Sequence, residues 1–191
     1  MAALATIQDL EATLGRVLVG DPDRVTRVER VLEMASAVVR TYTGQFFELV
    51  TDEDVVLFAN SEGWYRLPER PVVDVTAIAD QDAVDLASTY AFDGEGWLRY
   101  SPMLPQAPKP MWTFTSVAVT YSHGYVEIPA DVVMVVCSMA GRTVSNPSGI
   151  RSEMVGDYSV TYTIPGTGEA LGLALSRPEM DVLRSYRWPS V

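Results

Sequence analysis

The sequence predicts an α+β fold: a small helical bundle of N-terminal helices, a central helix and a C-terminal helix, carrying an inserted antiparallel β subdomain and a β-hairpin. Three observations carry this. Apolar residues recur every three or four positions over 25–42 and again over 132–140, the spacing of helices with one buried face. Between those stretches, residues 45–128 change to short alternating runs broken by Asp, Gly and Ser, the pattern of a small antiparallel sheet or barrel. Beyond them, 150–155 and 158–164 are two short strands around Gly156-Asp157, a pair suited to a two-residue turn. The expected division is therefore 1–44, helical; 45–128, the β insertion; and 129–191, which completes the helical core.

Taken in order, Thr6 can cap a first short helix, with Asp9 as the returning acid, Leu10 and Leu14 on its buried side and Gly15 closing it. Asp21-Pro22 starts the longest helix, whose stripe is Val25, Val28, Leu32, Ala35, Val39 and Tyr42, ending at Gly44. Its other face holds Arg24, Arg27, Glu29, Arg30, Glu33 and Arg40, read either as a solvated face with internal ion pairs or as a subunit contact surface. Strands are expected over 46–50, 55–59, 64–67, 72–79, 90–92, 98–100 and 114–121, with breaks at Asp52-Glu53-Asp54, Ser61 to Gly63, and Asp93-Gly94. Residues 101–110 hold four prolines, which cannot donate to a ladder, and read as a loop. The central helix begins after Pro129, with Asp131 in its first turn and Val132, Val133, Val136, Cys137 and Ala140 as its stripe. It should stop at Asn146, because the residue before Pro147 is pushed out of the α region. Ser176 to Glu179 fits a capping box, followed by a stripe of Met180, Leu183 and Tyr186.

Composition narrows the function classes. The chain has 191 residues, 48% of them hydrophobic, enough for a real core and consistent with one domain carrying an insertion. With 14 basic and 25 acidic residues the net charge is −11, which disfavours a protein that grips nucleic acid by neutralising phosphates. Thirteen of the basic residues are arginine and only Lys109 is lysine, a choice that suits planar ion pairs and stacking in protein contacts. Cys137 is the only cysteine, so no internal disulfide forms. No apolar run approaches the roughly 18 residues a membrane span needs.

His123 is the only histidine and sits at a strand end, while Cys137 falls on an apolar helix face, so neither a nucleophilic dyad nor a zinc set is expected. Asp52, Glu53 and Asp54, and Asp80, Asp82 and Asp85, lack the spacing of a calcium loop and read as solvated carboxylates. No phosphate-binding glycine loop is present, since Gly166 and Gly168 lack a third glycine and a preceding βαβ context.

The string Tyr121-Ser122-His123-Gly124-Tyr125, Pro129 to Val133, Asn146-Pro147, Gly149 to Glu153 and Val155 to Val160 resembles the head-to-tail connector proteins (adaptor, or head completion, proteins) of long-tailed bacteriophages. Weaker similarity extends over 1–44, 67–78 and 176–187. The resemblance implies a structural virion protein with no enzymatic activity and no cofactor, located at the neck and assembled in the host cytoplasm. About twelve neighbouring copies would close a ring beneath the portal protein, continue the DNA channel without sequence-specific binding, and meet the next neck or tail protein, a stopper or tail terminator. It implies a portal contact at the C-terminal segment, here Tyr186, Arg187 and Trp188. The candidate subunit contacts are Arg24, Arg27, Arg30 and Arg40. No membrane partner is implied. The rival expectation is a binding module for carbohydrate or a cell-surface ligand on the β subdomain, with Trp64, Tyr65, Trp97, Tyr100 and Trp112 as stacking residues.

Overall fold

The computed structural model describes residues 2–20, 22–60, 63–79, 90–100, 116–146, 152–155, 158–161 and 173–187. The proline-rich stretch 101–110, Asp80, Asp82, Asp85, Trp112, the Gly156-Asp157 turn and Trp188 lie outside them. Among the described residues there are four α-helices, two three-stranded antiparallel sheets and one two-stranded hairpin, an α+β fold. By its internal contacts the chain forms two units: a helical one, Met1–Gln45 with Ile128–Val191, and a β one, Phe46–Glu127.

The helical unit holds α1 (Ile7–Leu14), α2 (Pro22–Thr43), α3 (Ala130–Ser145), the hairpin β7 (Ser152–Val155) and β8 (Tyr158–Thr161), and α4 (Arg177–Leu183) with a closing 3-10 turn, Arg184–Tyr186. Thr6 caps α1 in a reciprocal box: its hydroxyl accepts from the Asp9 N–H at 3.2 Å, while Asp9 accepts from the Thr6 N–H at 2.7 Å. Thr6→Ala should lower stability by about 1 kcal/mol in urea denaturation, the usual cost of a lost N-cap. Of the expected stripes, Leu10, Val28, Leu32, Ala35, Val39, Val132, Val136, Cys137 and Ala140 are buried while Leu14, Val25, Tyr42 and Val133 are half-buried; Val135 and Met139, which the sequence stripe omits, are buried as well. Asn146 ends α3, its N–H bonded to the Arg142 carbonyl. In the hairpin, Val155 pairs with Tyr158, the register a two-residue connection requires.

In the β unit one sheet has the order β1 (Val50–Phe58), β6 (Ser116–His123), β3 (Val72–Ala79); the other has β2 (Trp64–Arg66), β5 (Trp97–Tyr100), β4 (Tyr90–Phe92). One apolar cluster draws on both sheets: Leu57, Ile78, Val117, Val119 and Tyr121 from the first, Tyr65, Tyr90 and Leu98 from the second. Two expectations fail here. Residues 46–50 are not a separate strand, because Phe47 takes a left-handed conformation at φ 71°. Nor does Asp52-Glu53-Asp54 break the chain: β1 runs through it on a bulge between Val50 and Glu53, with Asp52 at φ 52°. Aspartate tolerates that conformation better than most residues, so the acids sit on a kinked edge strand and not in a loop.

The two ends of this unit are tied to each other. The Tyr125 N–H donates to the Phe47 carbonyl at 2.8 Å, Glu48 bridges Tyr125, and the two aromatic rings stack with centroids 6.2 Å apart. Gly124, at φ 94°, lies against this junction, and its N–H donates to the Pro71 carbonyl.

Candidate functional site

In the helical unit the strongest polar feature is a buried ion pair joining α3 to α4. Arg142 donates to both Glu179 oxygens, at 2.5 and 3.0 Å, and also to Ser138 Oγ and the Ala174 carbonyl, each at 3.0 Å. Glu179 takes a further bond from the Ser176 N–H at 2.7 Å, as the capping box requires. Burial alone would raise the Glu179 carboxyl; the Arg142 fork and the Ser176 donors outweigh it and bring the group down to about 2. The sequence shows Glu179 only as a capping acid, and Arg142 carries no signal beyond its place in the last turn of α3.

That pair positions the C-terminal segment. The Tyr186 hydroxyl donates to the Asp131 carboxylate, 2.7 and 2.8 Å from its two oxygens, fastening the 3-10 turn to the first turn of α3. The Arg187 guanidinium lies 4.9 Å from the centre of the Tyr42 ring, and the Tyr42 hydroxyl donates to the Met180 carbonyl at 3.3 Å. Tyr42 and Arg187, with Ala37, Val38, Thr41 and Leu175, line an open groove of about 540 Å³. Tyr186 and Arg187 are thus brought together on the helical unit, with Arg187 exposed, while Trp188 is outside the described residues. Tyr186→Phe removes one charge-assisted bond and should cost about 2 kcal/mol. Faster proteolysis of the C-terminal segment would register it.

The basic face of α2 is smaller than expected. Arg24, Arg27 and Arg30 are exposed, and Arg30 pairs with Glu33 at 2.6 Å. Arg40 is a correction. It is only 7% exposed, and its Nη2 donates to the Ala2 carbonyl at 2.8 Å. The N-terminal segment crosses α2 there, with Leu4 and Ala5 buried and the Leu4 N–H bonded to Ser36 Oγ, which widens the covered side of the helix to include residue 40. No sequence period reports a segment laid across a helix.

The titratable groups of the β unit are held in the sheet. His123 is buried on β6, with Nε2 2.7 Å from Glu53 Oε2 and its ring stacked on Tyr121. Burial pushes the Tyr121 hydroxyl well above its ordinary range, and Glu53 adds to this. Glu69 is raised by burial, against which the Phe46 N–H donates at 3.3 Å. The flanking acids also have partners: Thr76 donates to Asp52 at 2.9 Å and Thr120 to Asp54 at 2.6 Å. In the helical unit Cys137 is buried and its thiol is pushed up by that burial, which disfavours the reactive thiolate. Among the described residues no group of three or more His, Cys, Asp or Glu is placed to hold a metal ion, and no helix is long and apolar enough to cross a membrane.

Of the stacking candidates, Tyr65 is buried in the core. Trp64 and Trp97 are half-buried and meet edge to face, with centroids 6.4 Å apart.

The architecture is thus a helical unit interrupted by a small two-sheet β unit. The same fold occurs in a chain from the neck of an empty gene transfer agent particle computed with C6 symmetry: TM-score 0.53 and 18% identity, covering 98% of this chain and 91% of that one. A chain in the virion of the native gene transfer agent particle matches at TM-score 0.53 and 17% identity, over 97% and 89% respectively. No protein-family model and no curated protein matches the sequence.

Proposed function

We propose that this chain is a structural neck protein of a phage-like particle, a head-to-tail connector whose copies close a ring beneath the portal and join the capsid vertex to the tail. The observation that carries the reading is the likeness in fold to a neck chain over nearly the full length of both. The neck containing that chain was computed with C6 symmetry, which supports a cyclic assembly built on heterologous contacts, and the proposed ring has about twelve copies. Its role is contact and not catalysis. The functional residues are those of the C-terminal segment, Tyr186, Arg187 and Trp188, for the portal, and of the exposed α2 face, Arg24, Arg27 and Arg30, for neighbouring copies. A net charge of −11 suits a conduit through which DNA passes without adhering.

Full-length protein mixed with purified portal rings should give a ring-on-ring complex in electron micrographs, and a chain lacking residues 184–191 should not. Failure of the full-length protein to dock would overturn the reading.

A further inference from the structure

The β unit carries a second open groove, of about 380 Å³, lined by Asn60, Trp64, Asp93, Glu95 and Trp97. Its walls are two tight turns. Asn60 closes one, accepting from the Trp64 N–H at 2.9 Å and donating its own N–H to the Trp64 carbonyl at 2.8 Å. Asp93 closes the other, its Oδ1 accepting from the Glu95 and Trp97 N–H groups at 2.7 and 3.0 Å. Asp93 and the backbone that carries Trp64, Glu95 and Trp97 are therefore fixed before anything binds. The charged groups in the lining are both carboxylates, and the Glu95 side chain has no hydrogen-bond or ion-pair partner among the described residues. Trp64 already takes one guanidinium: Arg99 lies 4.9 Å from the centre of its ring and forms no ion pair with a described residue.

A groove with an aromatic wall and carboxylate acceptors fits a flat cation rich in donors. Guanidinium has five N–H donors and no acceptor, and it stacks on indole. The indole N–H groups and the Asn60 amide could also serve a neutral sugar, but only a cation gains from the two carboxylates. We propose that the groove is a guanidinium site filled by Arg24 or Arg27 of a second copy of this chain. Both arginines are exposed, one turn apart on α2, with no ion-pair partner among the described residues, whereas Arg30 is held by Glu33. They belong to the helical unit and the groove to the β unit, so the contact joins two distinct patches, as a heterologous ring contact requires. This rests on the ring assembly proposed above.

The test has two arms, both on the full-length chain. In the first, sedimentation velocity follows self-association of the wild type, Glu95→Arg, Arg24→Glu with Arg27→Glu, and the three changes together. Each partial set should weaken association about tenfold, and the combined swap should restore it. Association unchanged by Glu95→Arg, or a swap that fails to rescue, overturns the contact. In the second, blocked arginine (N-acetylarginine methylamide) is titrated by NMR and should shift the indole N–H signals of Trp64 and Trp97 saturably in the wild type and not in Glu95→Arg. No shift overturns the site itself, and saturable binding of a neutral glycan lost in Glu95→Arg reassigns the occupant. If the wild type neither self-associates nor docks on portal rings, the ring reading fails with the choice of occupant, and the arginine titration still decides the groove's chemistry.

Discussion

Glu179→Ala is expected to cost the helical unit about 3 kcal/mol in urea denaturation at neutral pH, because it leaves the Arg142 guanidinium partly buried without its counter-charge. The two residues act as a unit, so replacing both, as Arg142→Met with Glu179→Leu, should recover most of the loss. The pair also sets a pH dependence with a definite sign. The Glu179 carboxyl lies at about 2 in the folded chain against an ordinary value of 4.5. A depressed carboxyl stabilises above its unfolded value, so the contribution is complete above about pH 5 and fades as pH falls from 4.5 through about 2. Over that window it amounts to about 3 kcal/mol. Glu179→Gln should flatten this part of the stability profile, and an acid limb identical to the wild type's would show that the pair does not carry it.

Gly124→Ala should cost the β unit about 3 kcal/mol or more, through strain and overpacking together. A methyl group there would sit 2.1 Å from the Glu48 carbonyl oxygen and 2.6 Å from its carbon, both backbone atoms of the tied junction, on a residue already at φ 94°. Gly15→Ala is the control. Gly15 also has a positive φ, 62°, but nothing lies within 4 Å of an added methyl, so only the conformational cost of about 1 kcal/mol applies. Equal losses for the two variants would mean that the close approach to Glu48 contributes nothing.

The parts of this fold legible in the sequence are those set by short-range rules. The caps at Thr6 and Ser176, the stripes of α2 and α3 and the stop at Asn146 each depend on residues within a turn or two of one another. The misses share a cause as well. Asp52-Glu53-Asp54 looks like a break because acids are poor strand formers, yet hydroxyls from β3 and β6 receive Asp52 and Asp54, and His123 on β6 faces Glu53. Arg40 looks exposed until residues 2–5 cover it, and Arg142 meets Glu179 across 37 positions of sequence. The candidate contacts follow the same division. The α2 arginines can be read from helical spacing, whereas the Trp64–Trp97 groove needs two turns, one after β1 and one after β4, to converge.

The clasp between Phe47 and Tyr125 has a consequence for how such chains diversify. Chain enters and leaves the β unit one hydrogen bond apart, so a connection of a few residues could close the same gap at small entropic cost. The span between the ends of α2 and α3 is thus set by the Phe47–Tyr125 bond and not by the length of chain between them. A segment of another length at residues 46–127 would meet the helical unit at the same two ends, and would carry away with it the groove between Trp64 and Trp97.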